Sequence, residues 1–332
     1  MSTRNELPIR RDSHHPLRLF EAAKAANRPL FIQAPMVRYS KLPFRALIRE
    51  YGVDLCYTPM VSHLSTSTDF STNSEDRPLV VQFGAHTVLD FAKAAELVQP
   101  YCDGVDLNCG CPQTWAIQEG IGCGLMRKPE LVRDMILAVK ERCGPQFCVS
   151  VKIRIHSDLQ ETVRFVAIVE SAGPDYITVH GRRRSQRSSE PVNLEAIRLI
   201  KSVAKVPIVA NGDVFCLDDV DRIIKVTRAD GVMAARGLME NPALFAGYST
   251  TPWGAVEKFL HLNMTLGPLP HQLTVHHVGE MMLKMLNKKE RSSMVDSSSN
   301  TVELLDWLDE RFVLARPCDE GFGKGIHAVR II

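Results

Sequence analysis

The sequence predicts a (β/α)8 TIM barrel followed by a small C-terminal helical domain, and three observations carry that prediction. Short β-branched runs alternate with amphipathic stretches of helical length, giving roughly eight β-α units over residues 30–250, the size of one such barrel. The runs are nearly continuous in apolar residues, as expected of strands buried on both faces of a parallel sheet. No G-x-G-x-x-G follows an early strand, which disfavours a doubly wound dinucleotide-binding sheet.

Taken in order, residues 1–29 form an N-terminal extension. Its opening, MSTRNELPIRRDSHHPLRLF, lacks the apolar core of a secretory signal. Its arginines suit a mitochondrial presequence, but Glu6 and Asp12 argue against one. The strands are expected at LFIQAPM (30–36), DLCYTPM (54–60), LVVQFG (79–84), GVDLNCG (104–110), CVSVKIRI (148–155), YITVHG (176–181), PIVANGD (207–213) and GVMAARG (231–237). Between them, TVLDFAKAAELVQPY and ELVRDMILAVKERC repeat apolar residues at three- and four-residue steps and read as helices. Residues 251–315 change character: WGAVEKFLHLNMTL, VHHVGEMMLKMLNKKE and TVELLDWLDERF read as helices joined by polar breaks such as RSSMVDSSSN. Residues 316–332 show no periodicity and read as a loose tail.

The composition narrows the class. No apolar run is long enough to span a bilayer, so no membrane association is expected. Nine cysteines, an odd number spread over strand-like and helix-like segments, do not form a disulfide framework. They point to a reducing compartment, and we expect a monomer in the cytoplasm and the nucleus. A net charge of +2 cannot by itself argue for a nucleic-acid partner, so local arginine clusters must carry that case.

In a barrel the strand ends converge on one rim, where active sites are built. Gly84, Gly181, Gly212 and Gly237 alone would serve as turn formers. Gln82, Asn108, Lys152, His180 and Arg236 would not, because buried polar groups at strand ends need partners. ANGDV and AARGLMENP suit a phosphate site: glycines let backbone N–H groups approach, and Arg236 supplies fixed charge. Lys152 could form a Schiff base or hydrogen-bond a cofactor; His180 could be a base, a cofactor contact or a packed residue. Cys109 and Cys111 are separated by one glycine, with no second Cys/His pair at zinc spacing, so no metal is expected. A redox C-x-x-C is also absent.

APMVRYSKLPFR (34–45), YTPM (57–60), VQFG (81–84), DLNCGCPQ (106–113), VKIR (151–154), VHGR (179–182), ANGDV (210–214) and GVMAARGLMENPALF (231–245) occur in this order. In that order they resemble the tRNA-dihydrouridine synthase family over roughly residues 30–250, with a helical domain following as in that family. APMVRYSKL, LCYTPM and ARGLMENPALFAGY are most similar to the eukaryotic branch acting on adjacent D-loop positions 20a and 20b. One departure is Gln33, where the branch carries a cysteine.

The resemblance implies an oxidoreductase acting on a CH–CH group, carrying FMN and reduced by NADPH or NADH. Pro35 and Met36 would border the flavin ring, Gln82 would bond its pyrimidine edge, and Lys152 would contact its electron-rich side. His180 would lie against the cofactor, while Asn211, Gly212, Asp213, Ala235, Arg236 and Gly237 would hold the phosphate. Hydride reaches C6 of a uracil in a D-loop uridine, and C5 then needs a proton from an acid near the extruded base. The family places that acid at the cysteine before proline, here Cys111. A thiol with a pKa of about 8.5 is protonated at neutral pH and can serve. Asn108 would contact both flavin and substrate, and Cys109 is read as packing.

For the tRNA, HGRRRSQR (180–187) supplies Arg182, Arg183 and Arg184, and the first loop adds Arg38, Lys41 and Arg45. The helical domain, with Lys284, Lys288, Lys289 and Arg291, would support the same RNA. The loop SHLSTSTDFSTNSEDRP is a place where length could affect substrate choice. A flavin barrel reducing a free pyrimidine, an aldolase using Lys152 and a non-catalytic RNA-binding relative share parts of this pattern. The arginine cluster and helical domain argue against the first; Lys152, His180 and Cys111 together argue against the last.

Overall fold

The computed structural model describes residues 14–62 and 70–331. The first part of the N-terminal extension, most of the SHLSTSTDFS stretch and Ile332 lie outside the described residues. Among the described residues the strands are β1 (Leu30–Gln33), β2 (Cys56–Tyr57), β3 (Leu79–Phe83), β4 (Gly104–Cys109), β5 (Cys148–Ile155), β6 (Tyr176–Arg183), β7 (Ile208–Asn211) and β8 (Gly231–Ala234). All pair in parallel, in the order β1-β8-β7-β6-β5-β4-β3-β2. The ring closes where Ile32 bridges Leu55 and the Gln33 N–H donates to the Leu55 carbonyl at 3.0 Å. The predicted barrel is the observed fold. Several strands end earlier than their apolar runs, because APM, TPM, GD and ARG leave the ladder to build the mouth.

The helices are α1 (Pro16–Ala25), α2 (Leu42–Arg49), α3 (Val88–Val98), α4 (Thr114–Gln118), α5 (Pro129–Cys143), α6 (Leu159–Glu170), α7 (Leu194–Val203), α8 (Leu217–Thr227) and α9 (Arg236–Glu240), then α10 (Trp253–Thr265), α11 (His271–Met281), α12 (Lys288–Asp296) and α13 (Thr301–Asp309). Their ends follow from local chemistry. Thr87, Asp158 and Asn193 cap α3, α6 and α7 by accepting first-turn N–H groups. Proline opens α5, and Gly144, at φ 94°, follows its last turn.

Side chains alternate across each strand, and the alternation sorts the barrel. Leu79, Val81, Val105, Leu107, Val149, Val151, Ile153, Ile177 and Val179 belong to the large core packed under the helices. Ile32, Tyr57, Val80, Cys148, Tyr176, Val209 and Met233 form the inner cluster, joined by Phe20 and Ala23 of α1. The rings of Phe20 and Tyr176 lie 5.3 Å apart, so α1 closes the floor of the barrel. Continuing the inner alternation toward the strand ends gives Gln82, Asp106, Asn108, Ser150, Lys152, His180 and Asn211. The mouth is polar because the inner face changes chemistry along each strand.

The helical region packs on the barrel through α10 and α2, where Lys258 Nζ donates to Glu50 at 2.7 Å. Two expectations change here. The segment 275–290 is not one helix: α11 ends at Met281, and Asn287 and Glu290 form a capping box that starts α12 within the segment read as one helix and carries it into the stretch read as a polar break. Only Met294 of α12 is buried, so no apolar period announced it. The tail after residue 315 is tied down. The first N–H groups of α10, on Trp253 and Gly254, donate to the carbonyls of Ile326 and Gly325 at 3.2 and 2.8 Å. The buried Glu257 carboxylate accepts from the N–H groups of Ala315 and Gly323 at 2.9 and 2.8 Å.

Candidate active site

The ends of β3, β4, β5, β6 and β7 bring five predicted residues to one mouth. Lys152 Nζ donates to Asn211 Oδ1 at 2.9 Å, and Asn211 Nδ2 donates to the Met233 carbonyl at 2.9 Å. Burial, then the charge of Arg154, pushes Lys152 down to about 8, against the pull of Asp106. It remains a cation at neutral pH. His180 is pushed down to about 2 by burial and by Lys152, Arg154, Arg182 and Arg236 around it. It is therefore neutral and can accept or donate, but brings no charge.

Beyond β7 and β8 lies a small cleft of about 90 Å³ lined by His180, Asn211, Gly212, Asp213, Ala235, Arg236 and Gly237 among others. Asp213 (φ 51°) and Gly212 (φ 131°) turn the backbone sharply there. Arg236, half-exposed, and the buried Arg182 both pair with the Asp213 carboxylate, Arg236 at 2.9 Å. A Cβ at Gly237 would sit 2.0 Å from the Val214 carbonyl oxygen, so the two loops touch only because residue 237 is glycine. A glycine-lined cradle with a half-exposed guanidinium fits a phosphate group. Pro35 and Met36, partly buried, follow β1, the strand that pairs with β8 beside this cleft.

The two cysteines separate sharply. Cys109 belongs to the outer core, wholly buried, and burial holds its thiol well above the usual range. Cys111 lies past the end of β4, partly exposed. Asn108 Oδ1 accepts the N–H groups of Gly110 and Cys111 at 3.1 and 2.8 Å, and the Cys111 carbonyl accepts from Cys123 at 2.9 Å. Gln82 and Asn108 are themselves linked, Asn108 Nδ2 donating to Gln82 Oε1 at 2.9 Å.

Two arginines expected to meet RNA do not reach the surface. Arg45 is 1% exposed and pairs with Asp76, which is also buried; its Nη1 donates to the Ser40 carbonyl at 2.6 Å. Arg182 is 2% exposed, bound to Asp213 and to the Glu190 carbonyl. Both arginines are structural ties, because a buried guanidinium must be neutralised in place. Lys41 is buried as well. Arg38, Arg183 and Arg184 are exposed. Arg183 and Arg184 line a groove of about 920 Å³ with Arg127, Arg154 and Arg164, floored by Met126, Phe165 and Ile168. Arg154, whose Nε donates to the Gly110 carbonyl at 2.8 Å, joins that groove to the Cys111 loop. The sequence signal that could have placed Arg154 there is its position two residues beyond Lys152 on the same strand face. Among the described residues no group of three or more His, Cys, Asp or Glu could hold a metal, and no helix is long and apolar enough to cross a membrane.

This fold and mouth define a parallel α/β-barrel enzyme with a glycine-lined cradle, a half-buried cation and a half-exposed thiol on one rim. Residues 32–321 match the dihydrouridine synthase (Dus) family, and the chain belongs to it, a family of oxidoreductases. A Schizosaccharomyces pombe relative named tRNA-dihydrouridine(20a/20b) synthase, NAD(P)+, is 49% identical over 94% of this chain and 96% of its own. The Saccharomyces cerevisiae protein of the same name is 47% identical over 91% and 85%. A human relative, whose name adds "-like", is 41% identical over 90% and 94%. The solved structure of a histamine dehydrogenase from Rhizobium sp. 4-9 shares the fold, with a TM-score of 0.50 and 13% identity over 70% of this chain and 49% of its own.

Proposed function

We propose that this protein is a tRNA-dihydrouridine synthase acting on D-loop uridines at positions 20a and 20b. The proposal includes FMN as its cofactor and NADPH or NADH as the reductant. The observation that carries the reading is Cys111: a half-exposed thiol, fixed by an Asn108 turn, on the same rim as Lys152, His180 and the glycine-lined cradle. The names of the relatives support the substrate and the positions.

Asn211, Gly212, Asp213, Ala235, Arg236 and Gly237 would hold the phosphate of FMN. Pro35, Met36, Gln82, Asn108, Lys152 and His180 would surround its ring. Bound there, FMN supplies the hydride for C6 of the uracil. The chain's own part is binding, charge and one proton. Lys152 places a cation where negative charge accumulates, and its half-buried setting strengthens that attraction. Cys111 Sγ–H gives its proton to C5, and the S–H bond breaks as the C–H bond forms. The exposed side of the thiol lets solvent return the proton afterwards.

The exposed Arg183 and Arg184, with Arg127, Arg154 and Arg164 along the adjoining groove, suit phosphodiesters flanking an extruded uridine. Arg38 stands exposed on the loop after β1. We assign the protein to the cytoplasm and nucleus as a monomer; nine cysteines without a disulfide suit a reducing compartment. Mapping dihydrouridine in tRNA from cells lacking this protein tests activity and position together. Loss confined to 20a and 20b is expected, and unchanged dihydrouridine at both refutes the reading.

A further inference from the structure

We propose that Asp106 is a positioning residue that sets the hydrogen-bond polarity of the Gln82–Asn108 amide chain and thereby holds the Cys111 loop in its working geometry. The proposal rests on the reading of Cys111 as proton donor. Asp106 lies on β4, two residues before Asn108, and is wholly buried inside the barrel. Gln82 Nε2 donates to Asp106 Oδ2 at 2.8 Å, and Ser150 Oγ donates to Asp106 Oδ1 at 2.7 Å. Asn108 Nδ2 donates to Gln82 Oε1 at 2.9 Å, and the Gly110 and Cys111 N–H groups donate to Asn108 Oδ1. Every donor in this chain points from the cysteine loop toward the carboxylate.

That direction follows from chemistry. The two ends of an Asn or Gln amide have nearly the same shape, so only their partners decide which way each faces. An ionised carboxylate only accepts. Gln82 must therefore turn its NH2 to Asp106, which leaves its oxygen for Asn108. Asn108 must then turn its NH2 to Gln82, which leaves its oxygen for the two backbone N–H groups. Burial pushes the Asp106 carboxyl up to about 6, opposed by the bonds from Gln82 and Ser150 and by the Lys152 charge, so it is ionised at neutral pH. Tyr57, Tyr176, Cys109 and Cys148 are the other titratable groups around it, and burial keeps each of them neutral. At the other end the Gly110 and Cys111 N–H groups, which can only donate, demand the same direction, so the carboxylate and the loop fix the two amides from both sides.

Asp106→Asn keeps the shape and removes the direction, because an amide can offer either end to Gln82. Only the Gly110 and Cys111 N–H groups then hold the amides in place, and the hold on the loop weakens because a turn of both amides is no longer opposed at the carboxylate end. The test is hydrogen–deuterium exchange on the peptide spanning residues 104–113, with dihydrouridine formation on tRNA measured alongside. In Asp106→Asn, exchange at Gly110 and Cys111 is expected to rise about tenfold or more, reporting local opening, with kcat falling and KM little changed. Ser150→Ala removes a hydrogen bond from the same carboxylate without changing polarity and should leave exchange at 110–111 unchanged. A role limited to packing predicts equal effects from both variants.

If Asp106→Asn fails to fold, Gln82→Met breaks the chain one link nearer the loop and must raise the same two exchange rates. Unchanged exchange in a folded variant, or raised exchange with full kcat, overturns the proposal. Cys111→Ala run in parallel keeps the two readings apart. Retained activity there refutes the proton donor, whereas the exchange result judges Asp106 alone.

Discussion

Replacing Gly237 by alanine puts the cradle at the ends of β7 and β8 to a direct test. The added Cβ would lie 2.0 Å from the Val214 carbonyl oxygen and 3.0 Å from both Phe215 Cα and Leu244 Cδ1. A carbon and a carbonyl oxygen approach no closer than about 3.3 Å, so α9 and the Val214–Phe215 loop must separate by roughly 1.3 Å. Backbone presses on backbone here, and no side-chain rotation can relieve it. Overpacking of this kind costs about 1–3 kcal/mol, and the strain falls on the two loops that line the cradle. Converted to affinity, that range weakens FMN binding by about 5- to 150-fold. The assay is titration of FMN into the flavin-free protein by fluorescence quenching, with far-UV circular dichroism to establish that the barrel has folded. A folded G237A protein that binds FMN within about twofold of the wild type would refute both the cradle and the cofactor assignment built on it.

The remaining predictions bear on the thiols, the arginines and a buried histidine. Cys111→Ala should abolish dihydrouridine formation while leaving thermal stability unchanged; Cys109→Ala should keep the activity and lose about 1–3 kcal/mol of stability through a cavity in the outer core. The reverse pattern in the same two assays would reassign the proton donor. Arg183→Ala with Arg184→Ala should lower the dependence of tRNA affinity on log salt by about 1.4–1.8, two phosphate contacts' worth. Arg45→Ala should leave that slope alone and cost about 1.5–3 kcal/mol in denaturant unfolding, because buried Asp76 loses its closest cation and keeps only Arg49. His277 is wholly buried among Tyr39, Phe44 and Phe259, with no hydrogen-bond partner for either ring nitrogen among the described residues. Burial pushes it down to about 3, so the unfolded chain takes up its proton first as the pH falls below about 6.5. Stability attributable to His277 is thus complete above that pH and lost toward pH 3. His277→Phe should flatten the fall in melting temperature over that window, and an unchanged pH profile would count against it.

What was legible in the sequence divides by the distance over which the relevant chemistry acts. The strands and the mouth depend on a two-residue alternation within single segments, so Gln82, Asn108, Lys152, His180 and Asn211 could be placed on one rim without coordinates. The separation of Cys109 from Cys111 comes from where the strand stops, since Cys109 is the last residue of β4 facing the helices and Cys111 lies past its end, and from the proline that follows Cys111 in the family's motif. Arg45 and Arg182 could not be sorted this way. Each is neutralised by an aspartate 31 residues away, Asp76 and Asp213, and nothing in the local sequence distinguishes them from the exposed Arg183 and Arg184. The helix over Lys288–Asp296 was hidden for the opposite reason, since its start is a purely local cap but its single buried residue leaves no period to read.

Asp106 shows where the two scales meet. Its position was readable, because it shares the inner face of β4 with Asn108. Its consequence was not, because it depends on Gln82 reaching across from β3 and Ser150 from β5. A carboxylate inside a barrel is costly unless it is fully bonded, and here each of its oxygens has a donor. The favourable bonds do not explain why a carboxylate occupies the site, since a neutral amide could make as many. What an acceptor-only group adds is a direction that matches, through two amides, the donor-only N–H groups of Gly110 and Cys111. A wholly buried carboxylate thus constrains the half-exposed thiol, and the constraint runs through side chains that one strand alone cannot supply.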